Sequence, residues 1–298
     1  MANSISAVGI ARDGLKERKE SVFAQVLRRL RKNKAAMLGL YIFLFEVLIA
    51  FLSRWIIPYD YTAMDLKNLL ASPSLKHLFG TDELGRDVFS RILYGMQYSL
   101  SIGVSAVLVA IFAGVVIGSV AGYFGGTVDN IIMRILDVIQ AIPGLLLTIA
   151  ISAVLGSGFD KTILALGMGN IPGYARLLRA SIMNIRKMEY LEAAEVINCG
   201  KLRIIARHLL PNSFAPLIVQ ATMGVAGAIL TAASLSFIGL GVRPPTPEWG
   251  AMLSAGRSYM RDYPHLVIFP GVSIMIMVLA LNILGDGLRD ALDPKLKN

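Results

Sequence analysis

Few side chains in this sequence have the types and spacing that covalent or metal chemistry requires. The chain has 298 residues, with three histidines and one cysteine. These potential ligands lie far apart in sequence, without the spacing of a metal site: His77, His208, His265 and Cys199. The nearest counterpart of a phosphate-binding loop is LGSGFDKT at 155–162, but Leu155 and Asp160 occupy positions that the pattern reserves for glycine. We therefore expect no metal site, no cofactor, no catalytic residue and no ATP hydrolysis, so the chain is not predicted to be an enzyme.

The most informative polar segment is 189–212, which reads EYLEAAEVINCGKLRIIARHLLPN. Its residue types predict two short helices, over 189–197 and 201–210. The turn between them, at 198–200, contains Asn and Gly, which tolerate the left-handed backbone that reverses a chain. The second helix is expected to stop near Pro211, because proline disfavours helical geometry in the residue before it.

The first of these helices has features of a docking surface. Ala193 and Ala194 leave a low surface around which the groove of a partner could close. Glu192 stands beside them as a charged group. The alternative is a simple helical hairpin that only connects two membrane spans.

The elements that position this segment are membrane helices. Hydrophobic residues make up 55% of the chain and charged residues 16%, which excludes intrinsic disorder. A single cysteine excludes a disulfide scaffold. A helix needs roughly 20 mostly apolar residues to cross the hydrocarbon core. Five segments meet this requirement, the first interrupted only by Glu46 and Arg54 and the others uncharged: 35–57, 92–128, 138–159, 208–242 and 266–285.

A sixth span is predicted from the distribution of charge. Residues 12–34 hold nine Lys/Arg and three acids, and residues 176–211 hold seven Lys/Arg and three acids. Both segments should be cytoplasmic by the positive-inside rule, so an even number of spans must separate them. Spans near 35–57, 98–122 and 138–158 make three, so a fourth must lie near 161–184. The expected topology has six helices with both termini in the cytoplasm.

The net charge of +9 is explained by these cytoplasmic segments, so nucleic-acid binding is not expected. No cleavable signal is visible, and the first apolar run is expected to stay as an anchor. Residues 21–34 predict an amphipathic helix lying at the bilayer surface, with a plain cytoplasmic leader as the alternative. Its apolar stripe contains Val22, Phe23, Val26, Leu27 and Leu30.

The segment 58–97 is predicted to lie outside the membrane. It contains GTDELGRDVFSR at 80–91, whose mixed charges indicate a loop held by local ion pairs, with contact to substrate as the alternative. Within the first span, the carboxylate of Glu46 is costly unless it is paired, protonated or wetted. A functional role and a structural role, by pairing or neutral burial, are the two alternatives. Because the central parts of the second, third, fifth and sixth spans carry no charge, a proton relay is poorly supported.

Small residues and prolines predict how the spans pack. Gly114, Gly118 and Gly122 recur every four residues and form a strip where another helix can approach closely. Gly224 and Gly227 indicate a similar, weaker contact in the fifth span. Kinks are expected at two prolines in the third and fourth spans: Pro143 and Pro172.

The 186–212 segment resembles the E-A-A-x3-G-x9-I-x-L-P coupling loop of permease subunits of ATP-binding cassette (ABC) importers. The family glycine falls on Asn198, which also tolerates a left-handed turn, and Gly200 lies close enough to take over that turn. His208 aligns with the position often written Ile. Five residues match the opening and the close of the motif: Glu192, Ala193, Ala194, Leu210 and Pro211.

The resemblance covers nearly the whole chain, and it is to the second permease subunit of dipeptide and oligopeptide importers, a group that includes nickel and glutathione importers. It rests on four further motifs: GTDELGRDVFSR, GGTVDNIIMRILDVIQAIP at 125–143, PPTPEWG at 244–250 and GDGLRDALDPKLK at 285–297. It implies an all-α integral membrane protein with six transmembrane helices in the type I ABC importer permease fold, with cytoplasmic coupling helices. The implied location is the plasma (inner) membrane of a bacterium or archaeon.

The resemblance also implies the partners. A homologous permease would complete a heterodimeric pore, two ATP-binding subunits would supply ATP and Mg, and an extracytoplasmic binding protein would deliver the substrate. Glu192 to Ala194 would insert into the ATPase. Asp129, Arg134 and Asp137 would brace the loop, with an Arg134–Asp137 pair inside one helix as the alternative.

The implied function is peptide import, with nickel chelates or glutathione as alternative cargo. A stand-alone secondary transporter or channel, and a membrane anchor or sensor without transport activity, are rivals from other classes. No residue is assigned to substrate binding. The expected organisation is an N-terminal segment at 1–34, a first span at 35–57, an outer loop at 58–97, a permease domain at 98–285 with the coupling loop at 186–212, and a C-terminal tail at 286–298.

Overall fold

In the computed structural model, the described residues are 22–196 and 198–292, and their regular structure is helical apart from one isolated bridge between Thr81 and Asp87. Residues 1–21, most of the predicted N-terminal segment, lie outside the described residues, as does the end of the tail at 293–298. The described helices are α1 Val22–Lys32, α2 Lys34–Ile56, α3 Val88–Phe124, α4 Gly126–Gln140, α5 Gly144–Leu155, α6 Phe159–Ile185, α7 Glu189–Val196, α8 Lys201–Ile204, α9 Leu210–Phe237, α10 Trp249–Gly256 and α11 His265–Leu292.

Membrane-spanning capacity follows from the length and composition of these helices. Within the described ranges, four helical segments are long and apolar enough to cross a membrane: Lys34–Ile56, Val88–Phe124, Lys201–Phe237 and His265–Leu292. The bent pair α4–α5 gives a fifth if it is one broken span. Helix α6 has 27 residues, which is long enough, but it carries four charged residues and is not among these segments. The all-α membrane fold is confirmed, whereas the sixth span and the parity argument stay predictions.

The apolar run at 138–158 does not form the single kinked span that was expected of it. Helix α4 ends at Gln140, α5 begins at Gly144, and the two axes differ by 85°. Pro143 lies at the break, where it donates no backbone hydrogen bond and disfavours helical geometry in Ile142. The expected kink is therefore a full break, and α5 has only 12 residues.

Helix α3 is longer at its N-terminal end than the predicted second span. Asp87 caps it, because the Asp87 carboxylate accepts from the backbone N–H of Ser90 at 2.7 Å. The last ten residues of the expected 58–97 loop are consequently helical. At the other end of the chain, α11 continues to Leu292, so the segment expected as a tail from 286 begins inside a helix.

The glycine strip of α3 lies against α6, the helix with which α3 shares its most extensive contact. A Cβ built on Gly118 would be 2.5 Å from the carbonyl oxygen of Ala175, and one on Gly114 would be 2.6 Å from Tyr174 Cβ. A Cβ on Gly122 would be 3.0 Å from Ile182 Cβ. These distances leave no room for a side chain, so the two helices depend on glycine to approach this closely.

The other predicted small-residue contact is only half present. A Cβ on Gly224 would be 2.2 Å from the hydroxyl oxygen of Tyr174, but Gly227 has nothing within 4 Å. Gly227 therefore faces open space in this chain. Pro172 lies buried inside α6, which remains one continuous helix around it.

The apolar face of helix α1 packs at Leu30 against helices α2 and α11. Leu30 is 6% exposed and clusters with Ala36, Leu284 and Ala291 at the ends of α2 and α11. The backbone makes room for this contact at Gly287, where a Cβ would be 2.1 Å from Ala36 Cβ. Leu30 therefore packs on protein, and contact of the stripe with the bilayer stays a prediction.

The outer segment before α3 is held by the local ion pairs that its mixed charges predicted. Arg86 Nε donates to Asp82 Oδ2 at 2.6 Å, and Arg86 Nη2 donates to Glu83 Oε1 at 3.1 Å. His77 Nδ1 lies 2.9 Å from Asp87 Oδ1. A cavity of about 180 Å³ lies between this cluster and α10. The charged side chains of this segment are thus largely paired with one another.

Candidate functional site

The candidate site is the 186–212 loop between α6 and α9. Helix α7 ends in a left-handed turn, with Asn198 at φ 57°. The backbone N–H of Cys199 donates to the carbonyl of Ala194 at 3.0 Å, a six-residue closure typical of a helix C-terminus. Gly200 has φ −59° and therefore does not take over the turn. Asn at the family's glycine position thus supplies the left-handed residue itself.

The second arm of the loop differs from the prediction. Helix α8 ends at Ile204, but a π-helical turn at Ile205–Leu209 carries the chain directly into α9. Leu210 is helical, and its N–H bonds to the carbonyl of Ile205 across the wider turn. Pro211 lies at the start of α9, directly after the π-helical turn, so the helix runs on through a residue that has no backbone N–H. The expected stop near Pro211 is therefore wrong, and the loop is continuous with a long helix.

The two faces of α7 have different environments. Leu191 and Ala194 are 3% and 8% exposed and face the protein. Glu192 and Ala193 are exposed, so of the two alanines only Ala193 offers a low outer surface. Glu192 makes no ion pair with any described residue.

Two large apolar side chains extend this exposed surface. Val196 is 85% exposed, and it shares a face of α7 with Glu192 at i,i+4 spacing. Leu202, across the turn on α8, is 83% exposed. We call Glu192, Ala193, Val196 and Leu202 the hairpin patch. Sequence reasoning missed Val196 and Leu202, although both lie off the buried stripe formed by Leu191, Ala194 and Ile204.

Two of the three closing residues of the motif, His208 and Leu210, are half-buried. His208 lies beside Tyr190 of α7, with ring centroids 6.5 Å apart. Asn212 Nδ2 donates to the carbonyl of His208 at 2.7 Å. Leu210 packs against the main core, in which Leu209 is fully buried. These residues hold the two arms together, whereas Pro211 stays exposed.

The acidic residues of α4 reach α6 and not the loop itself. The carboxylate of Asp129 accepts hydrogen bonds from both Nε and Nη2 of Arg179, and Asp137 forms an ion pair with Arg176 at 2.5 Å. Arg134 is exposed and forms no ion pair within the described chain, so the alternative Arg134–Asp137 pair is absent there. Asp129 and Asp137 therefore contact α6, which ends where the loop begins, and their bracing of the loop stays a prediction.

Two aromatic residues contact the loop directly, and sequence reasoning missed them. The Arg186 guanidinium lies 5.6 Å from the ring centroid of Tyr123. Lys201 Nζ lies 5.6 Å from the ring centroid of Phe124. An aromatic pair at the end of an apolar run, just before Gly125 and Gly126, was the signal available in the sequence.

Other potential reactive groups are dispersed in the described structure. Residues 22–196 and 198–292 contain no group of three His, Cys, Asp or Glu side chains that could hold a metal. Cys199 is a free thiol of intermediate exposure. Glu46 is buried, and its Oε2 has no hydrogen-bond partner among the described groups. Neither an ion pair nor a relay partner for Glu46 is therefore visible there.

Comparison with known families accounts for this architecture. Residues 114–298 match the family described as "Binding-protein-dependent transport system inner membrane component". The chain belongs to this family of ABC importer permeases. Residues 21–73 match the "N-terminal TM domain of oligopeptide transport permease C". The resemblance seen in the sequence is thereby confirmed, and this permease is a multi-pass inner membrane protein and not an enzyme.

Individual relatives cover most of the permease. It is 45% identical over 278 residues to the dipeptide transport system permease protein DppC of Alkalihalophilus pseudofirmus, covering 93% of this chain and 91% of that protein. It is 47% identical over 271 residues to the glutathione transport system permease protein GsiD of Escherichia coli O157:H7, covering 91% and 89%.

Solved structures share the fold of this permease. A chain of the inward-facing MetNI methionine ABC transporter has a TM-score of 0.53 at 17% identity, covering 68% of this chain and 96% of that one. A chain of an amino acid ABC transporter has a TM-score of 0.51 at 16% identity, covering 66% and 92%. The predicted importer permease fold is confirmed by this likeness.

Proposed function

We propose that this permease forms half of the pore of an ATP-driven importer of short peptides, with its hairpin patch docked in an ATPase subunit. The observation that carries the proposal is the hairpin patch itself. Val196 and Leu202 expose more than four-fifths of their surface on a 24-residue hairpin. The same hairpin presents Glu192, which has no ion pair among the described residues. Exposed apolar side chains grouped around a charge are typical of a surface that a protein partner covers.

The connections of the loop support a coupling role. Its first arm leaves α6 at Ile185, and its second arm runs through the π-helical turn into α9. Both helices belong to the main core, so a displacement of the docked hairpin would be carried into the membrane domain as rigid-body movement. Closure of the ATPase subunits on ATP would supply that displacement, with ATP and Mg held by those subunits.

The remaining partners follow from the family. A homologous permease would complete the pore, and an extracytoplasmic binding protein would deliver the substrate. We propose that both termini and the 186–212 loop are cytoplasmic, because the basic segments at 12–34 and 176–211 favour that side by the positive-inside rule. The outer segment with its Asp82–Arg86 pair would then face the binding protein.

The relatives indicate the class of substrate. The dipeptide and glutathione permeases match this chain at 45% and 47% identity, and both kinds of cargo are short peptides. We therefore propose short peptides as the cargo. Nickel chelates remain the alternative that the wider resemblance offers.

Glu192→Lys tests the docking role. Because Glu192 is exposed and unpaired in the described structure, the change should alter the stability of the permease by no more than about 0.5 kcal/mol. If Glu192 meets a cation of the ATPase, breaking that desolvated pair costs about 2–5 kcal/mol. That loss corresponds to a roughly 30- to 5,000-fold weaker docking.

The assay measures ATPase co-purification and uptake of a radiolabelled dipeptide and of glutathione, each normalised to permease in the membrane. Asp262→Lys is the matched control, because Asp262 is exposed in the segment between α10 and α11 and undergoes the same charge reversal. Loss of both readouts in Glu192→Lys alone supports the proposal. Wild-type docking and uptake in Glu192→Lys would mean that the hairpin only connects two helices.

A further inference from the structure

The two ends of the coupling hairpin are held by adjacent residues of one helix. Arg186 lies just before α7 and Lys201 begins α8, so the two cations bracket the docking segment. Each cation stands 5.6 Å from a ring centroid, Arg186 over Tyr123 and Lys201 over Phe124. Both distances are within the range of an attractive cation–π contact. The hairpin is thus attached to α3 as well as to α6 and α9.

The rings themselves have a fixed place in the fold. Tyr123 is 7% exposed and belongs to the main core, whereas Phe124 is 49% exposed. Their centroids are 5.2 Å apart with planes at 86°, an edge-to-face arrangement that locks one ring against the other. A shift of Phe124 would therefore be felt by the buried Tyr123.

Gly125 makes the attachment possible. It ends α3 with φ 64°, and its N–H bonds to the carbonyl of Ala121. This left-handed residue turns the chain away into α4 and leaves the ring faces open to the loop. A Cβ at Gly125 would already be 3.6 Å from Arg186 Nη1, so the cation occupies the space beside the glycine.

Helix α3 extends from this attachment to the outer end of the molecule. Its 37 residues correspond to about 55 Å of helix. At its outer end the Nε1 of Trp249, in α10, donates to the carbonyl of Ile92 at 3.0 Å, and the Ser99 hydroxyl accepts from the Trp249 N–H at 3.2 Å. A movement received at Phe124 would therefore reach the residues around α10 along one continuous helix.

We propose that Tyr123 and Phe124 are positioning residues through which the docked hairpin moves α3, and that this contact couples the ATPase to the outer end of the pore. The inference rests on the proposed function, because it assigns a third path, besides α6 and α9, to the displacement of the same hairpin. It predicts that breaking the contact lowers the substrate carried per ATP hydrolysed, with docking preserved.

The test uses the whole transporter with its binding protein in proteoliposomes, with a radiolabelled dipeptide and glutathione as probes. Phe124→Leu removes the ring, and Lys201→Met removes the cation from an exposed position where folding is not at risk. Each is expected to lower the ratio of uptake to ATP hydrolysis roughly 2- to 5-fold, the equivalent of one exposed cation–π contact. The double variant should lose no more than either single one, because both break the same contact.

Three controls separate coupling from structure. Lys201→Arg should restore the ratio, because Arg also binds over an aromatic face. Phe112→Leu removes a 77% exposed ring from the same helix and should leave the ratio unchanged. ATPase co-purification should stay at the wild-type level in every variant.

The outcomes distinguish this inference from the proposed function. Wild-type ratios in both Phe124→Leu and Lys201→Met, in a transporter that imports a probe, would overturn the inference alone. Strictly additive losses in the double variant would also overturn it, since the two side chains would then act separately. A wild-type transporter whose ATP hydrolysis responds to neither probe would overturn the proposed peptide import.

Discussion

Gly118→Ala adds one methyl group where α3 meets α6. The new Cβ would be 2.5 Å from the carbonyl oxygen of Ala175 and 3.1 Å from Leu178 Cβ. Ordinary contacts between carbon and a carbonyl oxygen are about 3.3–3.6 Å, so the two helices would have to separate by roughly 0.8 Å. The obstructing oxygen belongs to the backbone of α6, so no side-chain rotation can relieve the overlap.

The expected magnitude follows from a matched glycine. Overpacking a well-packed core costs about 1–3 kcal/mol. Replacing glycine by alanine inside a helix also gains about 1 kcal/mol from backbone propensity. Gly227→Ala receives the same gain without an overlap, because nothing lies within 4 Å of its Cβ. The difference between the two variants therefore isolates the steric cost, with Gly118→Ala less stable by about 1–3 kcal/mol.

Unfolding of the purified chain by SDS in mixed micelles measures this difference. The chain has two tryptophans, and Trp249 is fully buried, so its fluorescence reports loss of the native core. Gly118→Ala should unfold at lower SDS than wild type, and Gly227→Ala at the same or higher SDS. If Gly118→Ala were as stable as Gly227→Ala, the close approach of α3 and α6 would be refuted.

Two further predictions concern the outer side. Glu248 is 2% exposed, and burial raises its pKa, although the N–H groups of Gly250 and Ala251 donate to its carboxylate. The stability associated with a raised pKa is present at low pH and is lost as the pH rises above the ordinary range of a glutamate. Glu248→Gln should therefore flatten the decline in stability that SDS unfolding shows as the pH rises. Parallel pH profiles for Glu248→Gln and wild type would contradict this prediction. For topology, Leu75→Cys, at a 99% exposed position, should react with an impermeant maleimide in intact cells, whereas Cys199 should react only after permeabilisation. Labelling of Cys199 in intact cells, in a folded complex, would overturn the proposed orientation.

The sequence alone determined the elements whose signals are local. Uncharged runs of 20 or more residues favour membrane helices, because they are long enough to cross the hydrocarbon core and contain no side chain that is costly to bury there. The turn at Asn198 was readable because few residue types tolerate a left-handed backbone. The strip at Gly114, Gly118 and Gly122 indicated a close helix contact through the absence of side chains. The coupling motif was recognisable because its residues lie within one short stretch of the chain.

The tertiary structure decided which elements meet and where helices end. Pro143 and Pro211 carry the same local signal, yet one separates α4 from α5 at 85° and the other lies inside a continuous helix. A π-helical turn accommodates Pro211, and such a turn depends on how α8 and α9 pack against the core. Asp137 likewise pairs with Arg176 of α6 and not with Arg134 three residues away, because the chain folds back between them.

The docking surface shows the same division. The opening of the motif identified Glu192, but the exposure of Val196 and Leu202 depends on which face of the hairpin the core covers. The contacts of Tyr123 with Arg186 and of Phe124 with Lys201 join residues more than 60 positions apart. A residue's type and spacing report its local conformation and its affinity for membrane or water. Its partner across the fold is set by the packing of whole helices, which only the three-dimensional structure specifies.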